Sequence, residues 1–379
     1  MALRVTVTVY EYLGAELVSG AFIAPLPLSG VKYELVLNSA GAISANVKLE
    51  PLPPTTDPTS GEVRERNRIL KDATRPALRV CYVLRDGVLM APYVWWTRGY
   101  DPDTQTIDLR GMELWSLLRR RRITWQASYS AQDQMDIARD IITRAMAIAD
   151  LDLTLDSDDS GVTRDRSYFD YEAKPVAEAV EQLAAVIDGF DFSLTASLAD
   201  GVVTRNMELD YPRRGRTAAQ SGHVFEWGRN IVDLKWTEDA TGTANSIIGL
   251  GQGEGLSKKR TRITDTTALA EGYPLLEDSI NLPDVEVLDT LDGHVRAALA
   301  QRSRPRTLPQ VTVLGESDPP LGSYLLGDDC HLVVPADVDP FWPDGLVDSR
   351  RIHAIEVTPP EDGAPEMVKL TLGEASVGT

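Results

Sequence analysis

Period-two alternation of apolar and polar residues dominates the N-terminal part of the chain. It predicts strands over 5–12, 21–28, 33–37 and 42–49, the last two joined by the turn Asn38-Ser39-Ala40-Gly41. A hairpin follows, with strands over 78–84 and 88–97 about Asp86-Gly87. Its second strand carries Tyr93, Trp95 and Thr97 in alternation with Val94 and Trp96. Another hairpin turns at Asp101-Pro102-Asp103-Thr104 and returns over 106–111. Pro51, Pro53, Pro54 and Pro58 make 51–61 an extended loop, 62–73 is weakly helical, and 112–122 reads as a short helix or turn.

At about residue 130 the period changes. Met135, Ile137, Ile141, Ile142, Ala145 and Ile148 recur at helical spacing through Ala149, with Ser130 as N-cap and Asp133 three residues later. The acidic stretch 152–166 reads as a loop. Val176, Ala179, Val180, Leu183 and Ile187 define a second helix over 174–187, with Pro175 in its first turn and Gly189 as C-cap. A hairpin over 190–197 and 202–209 turns at Asp200-Gly201, and 213–222 is a polar linker. Strand sequence returns at 223–250. Within it Val232, Leu234 and Trp236 form an apolar face opposite Ile231, Asp233 and Lys235, and 245–250 is expected as a second strand of the same closed β-domain. Gly249, Gly251, Gly253 and Gly255 imply close backbone approach or sharp bends. Residues 251–282 resist assignment. One helix falls within 283–302, with Val287, Leu291, Val295 and Leu299 on one face, and strands follow at 311–314, 330–334, 351–358 and 366–372. The apolar strands near 78–84 and 231–236 need pairing or cover, because exposed edges aggregate.

Composition narrows function by exclusion. The chain has 379 residues, enough for roughly two to four domains. Its 43% hydrophobic and 25% charged content is that of an ordinary soluble protein. A net charge of −19 makes non-specific nucleic-acid binding unfavourable, since phosphate contact depends on Lys and Arg. The run Arg119-Arg120-Arg121-Arg122 stands out against that charge. It fits a solvated face first, then a contact with an acidic neighbouring subunit, then nucleic acid. Cys81 and Cys330 are too far apart in sequence for a metal or redox motif and read as buried thiols. Met1-Ala2-Leu3-Arg4 leads straight into strand sequence with no secretory pattern, and no apolar run is long enough to span a membrane.

No catalytic, cofactor or metal constellation stands out. His223, His294, His331 and His353 lack metal-ligand spacing. Asp156-Ser157-Asp158-Asp159-Ser160-Gly161 has only part of a calcium-loop pattern. Residues 249–255 are glycine-rich without a dinucleotide or phosphate-loop signature, and Lys258-Lys259-Arg260 beside them fits a solvated turn better than a phosphate clamp. With 57 acids, carboxylate pairs arise by chance, and no G-x-S-x-G elbow occurs.

The order of the segments carries a resemblance. L-R-G-M-E-L-W-S-L-L-R-R-R follows the aromatic hairpin. S-A-Q-D-Q-M-D-I-A-R opens a helix, and R-S-Y-F-D-Y-E, the A-E-A-V-E-Q-L-A helix and G-F-D-F-S-L come next. The strand after G-R-N and then A-N-S-I-I-G-L-G close the series. Over about 28–372 this resembles the minor tail proteins of long-tailed actinobacterial phages, in the tail-hub family that shares the fold of contractile-phage baseplate hubs. The resemblance implies an α+β, mainly β chain with two β-barrel-like hub domains and two smaller α/β modules. They would lie at 1–125 (first hub domain), 126–212 (module with two helices and a hairpin), 223–254 plus 305–376 (second hub domain) and 255–304 (module with one helix). It implies a homotrimer forming a pseudo-sixfold ring at a siphovirus tail tip. That ring would join the distal tail protein ring to threefold tip proteins, with the tape-measure protein and other tail-tip or fibre proteins as further partners. Genomic DNA would pass through the lumen only in transit, and an acidic wall suits that. No enzyme activity, cofactor or stable membrane insertion is implied. The chain ends just after its last predicted strand, so wall digestion and host recognition are expected of attached proteins.

Two alternatives remain at this stage. One is a hexameric distal tail protein, which the α/β module and the second β-region disfavour. The other is a β-rich glycan-binding or glycan-cleaving protein, resting on Trp95, Trp96, Trp115 and Trp342 among many acids. Strand tryptophans more often serve as core or interface anchors. The hairpin about Tyr93 to Trp96 is therefore expected in the core, the intersubunit seam along the barrel edges, and Trp236 as necessary for assembly.

Overall fold

The computed structural model describes residues 8–147, 151–186, 188–283 and 285–374. Among the described residues, thirteen strands form one sheet. Its path runs from Ile231–Lys235 through Gln310–Leu314, Met367–Glu374, Leu346–Thr358, Leu28–Val36, Ala42–Lys48, Thr106–Glu113, Val88–Asp101, Arg79–Arg85 and Tyr10–Glu16 to Phe22–Pro25, all antiparallel. Asp329–Val334 also pairs with Leu346–Thr358, and Val224–Glu226 lies parallel to it. Of the expected first strand, residues 5–7 lie outside the described residues, and the observed one reaches Glu16.

The Leu28–Val36 and Leu346–Thr358 strands join the two β-regions, with Ile355 opposite Leu35. The closed β-barrels implied by the resemblance are therefore corrected: both regions share one continuous sheet, and its pairing path has two free ends among the described residues. The sheet nonetheless curls. Arg85 donates from Nε and Nη2 to Glu366 Oε1 and Oε2 at 2.8 and 2.9 Å, and Tyr10 Oη donates to the same carboxylate at 2.5 Å. Strands far apart along the path thus meet through side chains. Inside the curl, Tyr33, Tyr93, Trp95 and Leu109 share one core with Phe225, Val311, Leu332 and Leu370. Each such large apolar side chain contributes roughly 1.5–3 kcal/mol when fully buried. Cys81 and Cys330 are both free and buried in that core.

The run Val80-Cys81-Tyr82-Val83-Leu84 is apolar throughout because both of its faces are covered. Cys81 and Val83 face the curled core, whereas Val80, Tyr82 and Leu84 face a second core built with two helices. Those helices are Gln134–Met146 and Val176–Ala184, and they bury the predicted stripes of Met135, Ile137, Ile141 and Ile142, and of Val176, Ala179, Val180 and Leu183. Ile148, Ala149 and Ile187 lie outside the described residues. The caps differ from expectation. Asp133, not Ser130, caps the first helix, its carboxylate accepting from Met135 N at 2.8 Å; Ser130 belongs to the strand Ala127–Asp133. Pro175 is the N-cap of the second helix, which ends at Ala184, well before Gly189.

The stretch expected as a loop at 152–166 contains Leu153–Leu155, parallel to Val202–Asp210, and the start of Thr163–Tyr168, antiparallel to Ala127–Asp133. The second strand shows T-R-D-R-S-Y, where charged side chains at exposed and half-buried positions hide the alternation.

Two local rules override the simple period at 231–250. A bulge between Ile231 and Asp233 inverts the parity of the strand. Ile231 is buried, Leu234 and Trp236 pack partly against the same core, and Val232 is 53% exposed. Ser246–Leu250 is also not a partner of Ile231–Lys235. It sits between Arg260–Thr264 and Glu277–Asn281 in a separate three-stranded sheet, covered by the helix Leu288–Arg302. This helix buries Leu291, Val295 and Leu299; Val287 precedes it as N-cap and is 47% exposed. A short Glu238–Asp239 and Arg306–Thr307 pair forms the stem of this excursion.

Candidate assembly surfaces

The charged residues are used mainly as ties between elements. The expected linker at 213–222 is an arginine clasp with one short helix, Ala218–Ser221. Arg213 bonds Asp329 through Nη1 and Nη2, both at 2.7 Å, and Arg216 pairs with Asp328 at 2.5 Å. Arg351 pairs with Asp191, whose other contacts are Arg214 N at 2.8 Å and Asn38 Nδ2 at 2.7 Å. Burial opposes ionisation of Asp328, yet the Arg216 contacts and backbone N–H groups hold its carboxyl below the usual range. Nothing in the sequence links Arg213-Arg214-Gly215-Arg216 to the distant Asp328-Asp329.

The basic run is used internally as well. Arg119 reaches Glu181 at 3.2 Å, Arg120 lies 4.9 Å over the Trp96 ring, and Arg121 donates to the Ala145 carbonyl. It binds the short helix Trp115–Leu118 to the two-helix layer.

Several of the motifs weighed for chemistry have structural roles. In the acidic loop, Arg139 supplies the positive charge that calcium would bring. It lies 2.7 Å from Asp136, 3.6 Å from Asp156 and 3.5 Å from Asp159. Gly249 and Gly251 permit close packing: a Cβ on Gly249 would lie 2.4 Å from Val295 Cγ2, and one on Gly251 would lie 2.7 Å from Val285 O. Gly253 and Gly255 make bends at positive φ. The histidines are dispersed. His223 lies between Arg216 and Asp328, and burial followed by Arg216 depresses its pKa. Burial, then Arg166, pushes His294 down to about 4, and burial also lowers His353. Among the described residues no group of His, Cys, Asp or Glu is placed to hold a metal ion. No helix among them is long and apolar enough to cross a membrane.

Tryptophans divide between core and surface. Trp95 and Trp115 are buried, the latter 4.4 Å from Phe192 and donating to Glu181 at 2.9 Å. Trp236 and Trp342 instead meet edge-on at 5.0 Å near the free Ile231–Lys235 edge, with Phe341 4.8 Å from Trp342 and 66% exposed. At the opposite end of the sheet path, a largely apolar groove of about 1150 Å³ lies between the helix Ser60–Ala73 and the strands Tyr10–Glu16 and Phe22–Pro25. The central Arg79–Arg85 strand is paired on both sides; the edge strand Ile231–Lys235 is paired on one and interrupted by its bulge.

This architecture has counterparts among solved structures. The 43 kDa tail protein of prophage MuSo2 from Shewanella oneidensis superposes with a TM-score of 0.60 at 13% identity, over 96% of this chain and 98% of that one. The tail protein from Neisseria meningitidis MC58 gives 0.58 at 13% identity, over 96% of each chain. The chain has the fold of these tail proteins. Prophage tail protein gp18 from Listeria monocytogenes EGD-e shares it at a TM-score of 0.52 and 12% identity, over 97% of this chain and 96% of that one. No protein-family model and no curated protein matches the sequence.

Proposed function

We propose that the chain is a structural subunit of a phage tail tip, a hub protein that assembles as a homotrimeric ring around the DNA channel. The observation that carries this reading is the tail-protein fold, shared over nearly the whole length of both chains with the MuSo2 and Neisseria proteins. In this reading the two β-regions form the ring as one curled sheet, and the units near 126–212 and 255–304 decorate it or close the tip. The ring joins the distal tail protein ring to threefold tip proteins in a siphovirus, and the tape-measure protein and fibre proteins are its other neighbours. The subunit would assemble in the host cytoplasm and reside in the virion. Four of its buried acids, Glu366, Asp329, Asp328 and Asp191, are engaged by arginines, which favours a structural rather than an enzymatic role.

Native mass spectrometry of the purified chain at several concentrations tests this. Three chains of 41.6 kDa give an assembly of about 125 kDa. A hexamer would instead identify a distal tail protein. A chain that stays monomeric at high concentration would overturn the ring reading and send the exposed aromatics to a soluble-oligosaccharide binding screen.

A further inference from the structure

Two surface features combine exposed apolar side chains with unpaired charge. The first is the turn between Asp329–Val334 and Leu346–Thr358. It presents Phe341, 66% exposed, and Val338, 52% exposed, beside the edge-on Trp342–Trp236 pair. Asp337 and Asp344 on the same turn are exposed, and their carboxylates have no hydrogen bond or ion pair among the described residues. The result is an aromatic patch with a negative rim.

The second is the loop between Ser246–Leu250 and Arg260–Thr264. Bends at Gly253 and Gly255, φ +108° and +54°, hold Leu256 out in full solvent exposure. Lys259 and Arg260 follow it, also exposed and without a side-chain partner among the described residues. A fully exposed leucine followed by free cations is unusual on a chain of net charge −19.

Resting on the tail-hub reading, we propose that these two features form the seam between copies. Leu256 of one subunit packs against Phe341 and the Trp342–Trp236 pair of the next, with Lys259 and Arg260 beside Asp337 and Asp344. Charge is the main argument. Copies this acidic repel one another at long range, so a stable contact needs locally opposite charge, and here unpaired cations and unpaired anions each flank exposed apolar surface. Geometry is the other. The loop leaves the far end of Ser246–Leu250, whereas Trp236 lies at the Glu238–Thr307 stem, so a strand of roughly 17 Å holds the patches apart within one chain. A head-to-tail contact between two different patches generates a ring when its rotation closes, as the trimeric reading requires.

Charge reversal on the full chain tests the seam, with native mass spectrometry as the readout and circular dichroism and thermal unfolding to verify the fold. Lys259→Glu with Arg260→Glu, and separately Asp337→Lys with Asp344→Lys, should each weaken trimer formation at least about tenfold while leaving the monomer folded. All four substitutions together should restore it. A wild-type trimer that either reversed pair leaves intact, or that the fourfold variant does not recover, overturns the seam and leaves the tail-hub reading standing. A wild-type chain that forms no ring overturns both.

Discussion

Glu34 stands directly opposite Glu356 in the register that joins the two β-regions. Like charges face each other at the junction of the sheet, with Lys369 3.3 Å from Glu356 as partial compensation. Burial, and then Glu356, raises the Glu34 pKa. Glu113 lies nearby and is buried. Its Oε2 accepts from Gly41 N at 2.5 Å, but burial outweighs that bond and pushes its pKa from 4.5 up to about 8, with Glu34 adding to the rise. A folded-state pKa above the unfolded value favours the protonated group in the fold. The associated stability is complete below pH 4.5, declines across the interval and is gone above about pH 8. Urea midpoints of the wild type should therefore fall from pH 5 to pH 8.5. Glu113→Gln, neutral at every pH, should flatten that decline; an unchanged slope would contradict the assignment.

Arg205 ties the α/β layer to the large sheet. It is 3% exposed and donates to Tyr82 Oη at 2.7 Å, Leu17 O at 2.9 Å and Leu151 O at 2.8 Å. Arg205→Met fills much of the same space but leaves three buried acceptors without their donor. The expected loss is about 3 kcal/mol in the denaturant-unfolding free energy. Tyr82→Phe should cost less, because the two carbonyl bonds remain.

Gly249 sets how closely the helix Leu288–Arg302 approaches its sheet. A methyl group there would collide with Val295 at 2.4 Å, so Gly249→Ala should destabilise the protein by roughly 1–3 kcal/mol. Val295→Ala on the same chain removes the colliding methyl. Thermal unfolding of the double variant should lie above that of Gly249→Ala alone, a non-additivity that a general loss of strand propensity would not produce.

What the sequence revealed was local. Asp86-Gly87 and Asp200-Gly201 take positive φ in both residues and join the strands predicted on either side. The helical stripes about Ile141 and Val180 are buried as their spacing required, and Tyr93 and Trp95 lie in the core. Long-range pairing left no comparable trace. Nothing near Leu35 marks Ile355 as its partner, and the single bulged residue Val232 inverts a face that alternation alone had assigned. The arginine clasp was hidden for a similar reason. Arg213 and Asp329 are each ordinary surface residues in sequence, and become a buried tie only when the strands bring them together.

Trp236 offers a separate test of where copies meet. Its indole is only half-buried, with Trp342 edge-on on one side and the Arg350 guanidinium 5.4 Å from its ring centroid. Such an arrangement holds a large apolar surface rigid at the protein exterior, as interface anchors require. Trp236→Asp removes that surface and places a carboxylate on the acidic patch, whereas Trp236→Phe keeps an aromatic face. The Asp variant should remain a folded monomer by circular dichroism and lose the ring in native mass spectrometry, and the Phe variant should assemble. Normal rings from a folded Asp variant would place the seam elsewhere on the molecule, with the groove beside Ser60–Ala73 next to be examined by substitution at Ile69.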